Sequence, residues 1–146
     1  MSATKLDTKQ FIIATVLVNI WVQLSETIRY LIFVVPKLDA NAHTVPEATG
    51  WVLLIWIVWG TLLSGLVVFL FWMCVTVFGN SMQTILKSTT ISWASVFVLF
   101  WVGVSNMGFS KWELLLTTLP LSWIEIFIAT YIASKLYQRH LKTETI

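Results

Sequence analysis

The chain has 146 residues, 58% of them hydrophobic and 11% charged, with mean hydropathy +0.83 and net charge +2. A soluble domain carries about 25% charged residues, so there is too little charge here to coat an apolar core in water. The small net charge excludes an electrostatic nucleic-acid surface, and the single cysteine, Cys74, excludes an internal disulfide.

The first apolar run extends from Phe11 to Val35 and is ended by Pro36. Lys5 and Lys9 precede it, and Ala40-Asn41-Ala42 after it resembles a signal-peptide cleavage site. The run is too long for a signal peptide and holds Glu26 and Arg29, so a retained anchor is expected. At 100° per residue, Thr15, Asn19, Gln23, Glu26 and Tyr30 share a face about 80° wide, with Arg29 just beside it. A polar stripe on an apolar helix should face protein or a water-filled cavity rather than lipid. Glu26 and Arg29 are three residues apart and can meet on the same helix. Each alone would cost about 2.5–3.5 kcal/mol at the membrane centre. A structural ion pair and a functional site are both consistent with that spacing.

The second run, Trp51 to Phe78, follows Pro46 to Gly50 and ends at Gly79-Asn80-Ser81. It carries Gly60-x-x-x-Ser64 and, beside it, Thr61-x-x-x-Gly65. Small residues four apart let helices approach closely, either within the bundle or between copies of the chain. The third run spans about Ile91 to Gly108, with Ser92, Ser95, Gly103 and Asn106 expected on one inward polar face. A very short turn, Gly108 to Lys111, leads to the fourth run, Leu114 to Tyr137. Glu125 lies near its middle, sharing a face with Thr118, Ser122 and Ala129. No cation sits one turn away, so Glu125 needs a partner from another helix or a proton. By depth it can approach Glu26, and Arg29 would then bridge two carboxylates. Pro120 frees the Leu116 carbonyl, which Thr117 and Thr118 are placed to help satisfy. It is either a hinge or a tolerated membrane proline.

Each run approaches or exceeds the ~20 residues needed to cross hydrocarbon as a helix, and only helices satisfy every backbone group within one segment. The fold expected is an all-α membrane protein, a single domain over 1–146. Its four transmembrane helices, at about 11–35, 51–78, 91–108 and 114–137, form an antiparallel bundle. Lys5, Lys9, Lys87, Lys135, Arg139 and Lys142 fall on one side and Lys37 and Lys111 on the other, which predicts both termini in the cytoplasm. Compact loops and the lack of a targeting signal point to a bacterial inner membrane.

Phosphate-cradling loops, nucleophile elbows and zinc motifs are absent from the sequence, and His43 and His140 lie outside the apolar runs, so neither a metal nor another cofactor is expected. Seven tryptophans, including Trp56, Trp59 and Trp101, lie inside the runs rather than at their boundaries. Such rings either wall a site for an apolar cation or, more commonly, serve packing and lipid contact. The function expected is a proton-coupled transporter or carrier of a small solute. Glu26, Glu125, Arg29, Gln23, Asn19 and Ser122 are its candidate binding residues, and Gly60, Ser64 and Gly65 its helix-packing residues. The alternative is a structural or accessory subunit of a larger membrane complex, its polar stripes serving as docking surfaces. A lipid-modifying enzyme using the carboxylates ranks last, because no nucleophile accompanies them. The expected partners are the lipid bilayer and either further copies of the chain or another membrane protein.

Overall fold

A computed structural model describes residues 7–37, 50–108 and 110–144. Lys5, Ala40-Asn41-Ala42, His43 and Pro46 lie outside the described residues, as do the side chains of His140 and Lys142. The described elements are four helices long and apolar enough to cross a membrane: α1 (Thr8–Lys37), α2 (Gly50–Phe78), α3 (Met82–Asn106) and α4 (Trp112–Glu144). Among the described residues there is no strand.

Local chemistry sets the helix ends. Asp7 caps α1, its side chain accepting from the Lys9 amide at 3.0 Å. Pro36 falls in a closing 3-10 turn, Val35–Lys37, so α1 runs slightly past the proline. Gly79 follows α2 with φ +72°, a conformation that costs a residue without a Cβ nothing. Ser81 then caps α3, accepting from the Thr84 amide at 3.2 Å. This cap starts α3 at Met82 rather than at Ile91, because Met82 to Thr90 is helical although polar. Thr84, Ser88, Thr89 and Ser92 face inward, and Ser88 and Ser92 bond within the helix, Ser92 to the Ser88 carbonyl at 2.8 Å. Pro120 does not stop α4. Thr117 and Thr118 donate to the Glu113 and Leu114 carbonyls, at 3.1 and 2.9 Å, rather than to the carbonyl that the proline frees.

The helices are antiparallel. Phe11, Trp72 and Tyr137 bring the start of α1 and the ends of α2 and α4 to one end of the bundle. There Asn80 and Ser134 exchange two hydrogen bonds, at 2.8 and 3.2 Å, holding the α2–α3 turn against α4. At the other end the Lys37 ammonium donates to Thr117 at 2.6 Å.

The bundle is apolar outside, and its interior mixes apolar side chains such as Phe71 and Ile126 with many small or hydroxylated ones. Ile12, Val16, Ile20, Leu24 and Leu31 are exposed along α1, whereas Ala129, Ala133, Thr130 and Ser134 are buried on α4. A water-soluble bundle has the opposite distribution. In lipid there is no hydrophobic drive between helices, so close approach of small residues supplies the packing.

Gly60 is one such approach. A Cβ there would lie 2.3 Å from the Gln23 amide, so its absence lets the Gln23 side chain cross α2. Ser64 is buried on the same seam, while Gly65 makes only ordinary contact with Thr15.

Ala133, fully buried among the helices, tests this packing. Ala133→Leu should destabilise the bundle by about 1–3 kcal/mol, measured by detergent-induced unfolding.

Candidate functional site

α1 and α4 place three charged side chains together. Arg29 closes back one turn on Glu26, its Nη2 bonding Glu26 Oε1, and reaches across to α4, where its Nε donates to Glu125 Oε2 at 3.2 Å. Glu26, Arg29 and Glu125 are 7%, 8% and 4% exposed, so the cluster is screened by neither water nor lipid headgroups. The Trp21 indole fixes the depth of the two helices by donating to the Glu125 carbonyl at 3.0 Å. Glu125 Oε1 is buried without a hydrogen-bond partner. Ser25 lies beside it, but its hydroxyl is directed at the Trp21 and Val22 carbonyls.

Two carboxylates share one guanidinium, so with both ionised the cluster carries one uncompensated negative charge. Lys37, Lys87 and Lys135 are engaged elsewhere: Lys37 with Thr117, and Lys87 and Lys135 over the Phe78 and Tyr131 rings. A lone charge in a low-dielectric interior costs several kcal/mol, on the order of what a buried ion loses on leaving water. A proton or a cation reaching the cluster would neutralise that charge.

On the side away from Glu125, Glu26 and Arg29 open into a cavity of about 370 Å³. Tyr30 and Val34 complete its α1 wall, Trp56 and Trp59 form the α2 wall, and Val96, Phe97, Phe100 and Trp101 form the α3 wall. The Arg29 guanidinium lies 5.6 Å from the Phe97 ring centroid.

Two π turns face this cavity. In Tyr30–Val34 the Val35 amide bonds the Tyr30 carbonyl, and in Ala94–Val98 the Leu99 amide bonds the Ala94 carbonyl. Such turns occur mostly as single insertions in α-helices, often at functional sites. Here one begins directly after Arg29 and the other carries Phe97. The extra residue in the α3 turn also rotates the remainder of that helix by about 100°. The inward face expected from Ser92 through Asn106 is thereby broken: Ser92 is buried, but Ser95 and Asn106 are exposed and Ser105 is buried instead.

Of the residues singled out by sequence, Glu26, Arg29 and Glu125 come together. Asn19 and Gln23 instead tie α1 to α2. Asn19 donates to Thr61 and accepts from Ser64, both at 3.3 Å, and Gln23 donates to the Ile57 carbonyl at 3.2 Å. Ser122 donates to the Leu119 carbonyl at 2.9 Å and accepts from the Trp93 indole at 3.2 Å, outside the cluster. Phe97 and Phe100 were not foreseen, since a phenylalanine in an apolar run carries no mark of what it faces. Among the described residues no group of three or more metal-ligating side chains exists. Compared with protein-family models, curated proteins and solved structures, the chain gives no match. The chemistry of the site therefore rests on its own residues.

Removing one partner from a buried ion cluster costs more than removing them all. Arg29→Met should destabilise the protein by about 3–5 kcal/mol. The Glu26→Gln/Arg29→Met/Glu125→Gln triple variant should recover most of that loss in the same detergent-unfolding measurement.

Proposed function

We propose that the protein is a small membrane carrier whose Glu26–Arg29–Glu125 cluster takes up and releases a proton, a cationic solute or both in exchange. The observation that carries this reading is the charge count: two buried carboxylates face one guanidinium, with Glu125 Oε1 unpartnered. A purely structural ion pair gains nothing from a second buried carboxylate, which adds desolvation cost without a second cation. An exchangeable countercharge gives that carboxylate a purpose. The cavity gives access to Glu26 and Arg29, and the two π turns beside it are of a kind often found at functional sites.

The accessory-subunit reading uses the α1 stripe as a docking surface. Asn19 and Gln23 are instead engaged with α2, which favours the carrier. Four helices make a short path, so the working unit is proposed to be a homo-oligomer. It would lie in a bacterial inner membrane with both termini cytoplasmic, the sidedness supported by the excess of Lys and Arg at that end.

Proton flux in proteoliposomes with a trapped pH dye, with candidate cations added in turn, tests the reading. The wild-type protein should show solute-driven proton flux. Glu125→Gln, which keeps the shape but loses the excess charge, should fall to the level of empty vesicles. Full transport of an identified solute by the Glu125→Gln and Glu26→Gln proteins would sink the mechanism.

A further inference from the structure

The walls and opening of the cavity say more about its ligand than the charge count does. α2 and α3 pack together along Met82–Trp93 and part beyond it, so the cavity occupies the gap between the first half of α2 and the second half of α3. Its rim residues Trp56, Trp59 and Phe100 are also exposed on the outer surface of the bundle, at 37%, 45% and 53%. In a membrane that surface meets lipid chains. The cavity is thus reached sideways from the bilayer, and a ligand that uses it must dissolve there.

The lining fixes the head chemistry. Among the described residues, six of the side chains around the cavity are aromatic, and Glu26 and Arg29 are the only charged ones. Aromatic faces attract cations, and with both carboxylates ionised the cluster behind them carries one more negative than positive charge, so both terms then favour a positive ligand. The side-chain acceptors around the cavity are the Glu26 carboxylate, whose Oε1 is already engaged by Arg29, and the Tyr30 hydroxyl, while Arg29 only donates. A primary ammonium brings three N–H donors and would leave some unsatisfied in a site this apolar, which costs affinity. A quaternary ammonium brings none, and aromatic cages are the usual means of holding it.

We propose that this cavity binds a quaternary ammonium amphiphile, with its head among Trp56, Trp59, Phe100 and Trp101 above Glu26 and its apolar tail leaving through the lateral opening. The inference rests on the same charge excess as the carrier reading and names the ligand class of that site.

The test is equilibrium binding by calorimetry to the protein in lipid nanodiscs, with partitioning into empty nanodiscs subtracted. The probes are hexyltrimethylammonium, hexylammonium and the uncharged isostere bearing a tert-butyl head. Hexyltrimethylammonium should bind about fivefold or more tighter than either of the others. Trp59→Ala, at the exposed rim where the fold does not depend on it, should weaken that binding about fivefold. Equal affinity for the isostere, equal affinity for hexylammonium, or unchanged affinity in Trp59→Ala would each overturn the proposal. So would the absence of binding by all three probes. If Glu125-dependent flux persists in that last case, this inference fails and the carrier reading stands. Quaternary-selective binding without any flux would support this inference and remove the carrier reading.

Discussion

A guanidinium shared between two carboxylates is the constraint on which the bundle depends. In hydrocarbon an isolated charge has no solvent to fall back on, so Arg29 cannot be left facing lipid, and neither can the glutamates. The fork geometry of arginine matters here. Its Nε and Nη2 are separate donors fixed on one planar group, so one side chain can serve Glu26 on its own helix and Glu125 on α4 together. A lysine at the same position would offer a point charge without two fixed directions. The pairing sets the rotation of α1 about its axis, and the Trp21 bond to the Glu125 carbonyl sets its depth against α4.

The rest of α1 obeys that rotation. Once Glu26 and Arg29 are turned toward α4 and α3, the polar residues a turn or two earlier meet α2. Asn19 reaches Thr61 and Ser64, and Gln23 lies across Gly60. The glycine is therefore an accommodation for a polar side chain as much as a helix-packing site. The same rotation leaves Ile12, Val16, Ile20 and Leu24 outward, where lipid solvates them. Beyond Arg29 the α1 helix widens into its π turn, which holds Tyr30 and Val34 on the cavity wall.

The four spans were legible in the sequence because hydrocarbon permits so few backbone solutions that hydropathy and length nearly determine them. The start of α3 was not. Gln83, Thr84, Lys87, Ser88, Thr89 and Thr90 read as a loop by hydropathy, yet the Ser81 cap and inward-turned hydroxyls make them helix, and the Lys87 ammonium lies 4.4 Å from the Phe78 ring centroid. At the site, the spacing of Glu26 and Arg29 announced their pairing, and the depth of Glu125 made it a candidate partner. Ser122 was chosen by helical face alone, which ignores that a neighbouring indole takes its hydroxyl. The π turns and the cavity left no local signal. A register change depends on how two helices pack, and a cavity depends on where α2 and α3 cease to touch.

That separation divides the bundle into two mechanically different halves. At the end holding Phe11, Trp72 and Tyr137, aromatic rings interlock and the Asn80–Ser134 exchange closes the turn onto α4. Toward the other end the first half of α2 is exposed almost all round, from Trp51 to Trp59. The charge cluster sits where the clamped half gives way to the open one, flanked by the two π turns. Helices that pivot about a fixed end move most at the far end and least at the clamp, so displacing the first half of α2 changes access to the cluster without dismantling the packed core. A π turn can pass its extra residue along the helix by exchanging neighbouring hydrogen bonds, without losing them in a solvent that offers no replacements. In the carrier reading proposed above, a bound cation or proton would offset the second carboxylate facing Arg29, and occupancy of the site would then bear on the π turn that begins directly after it.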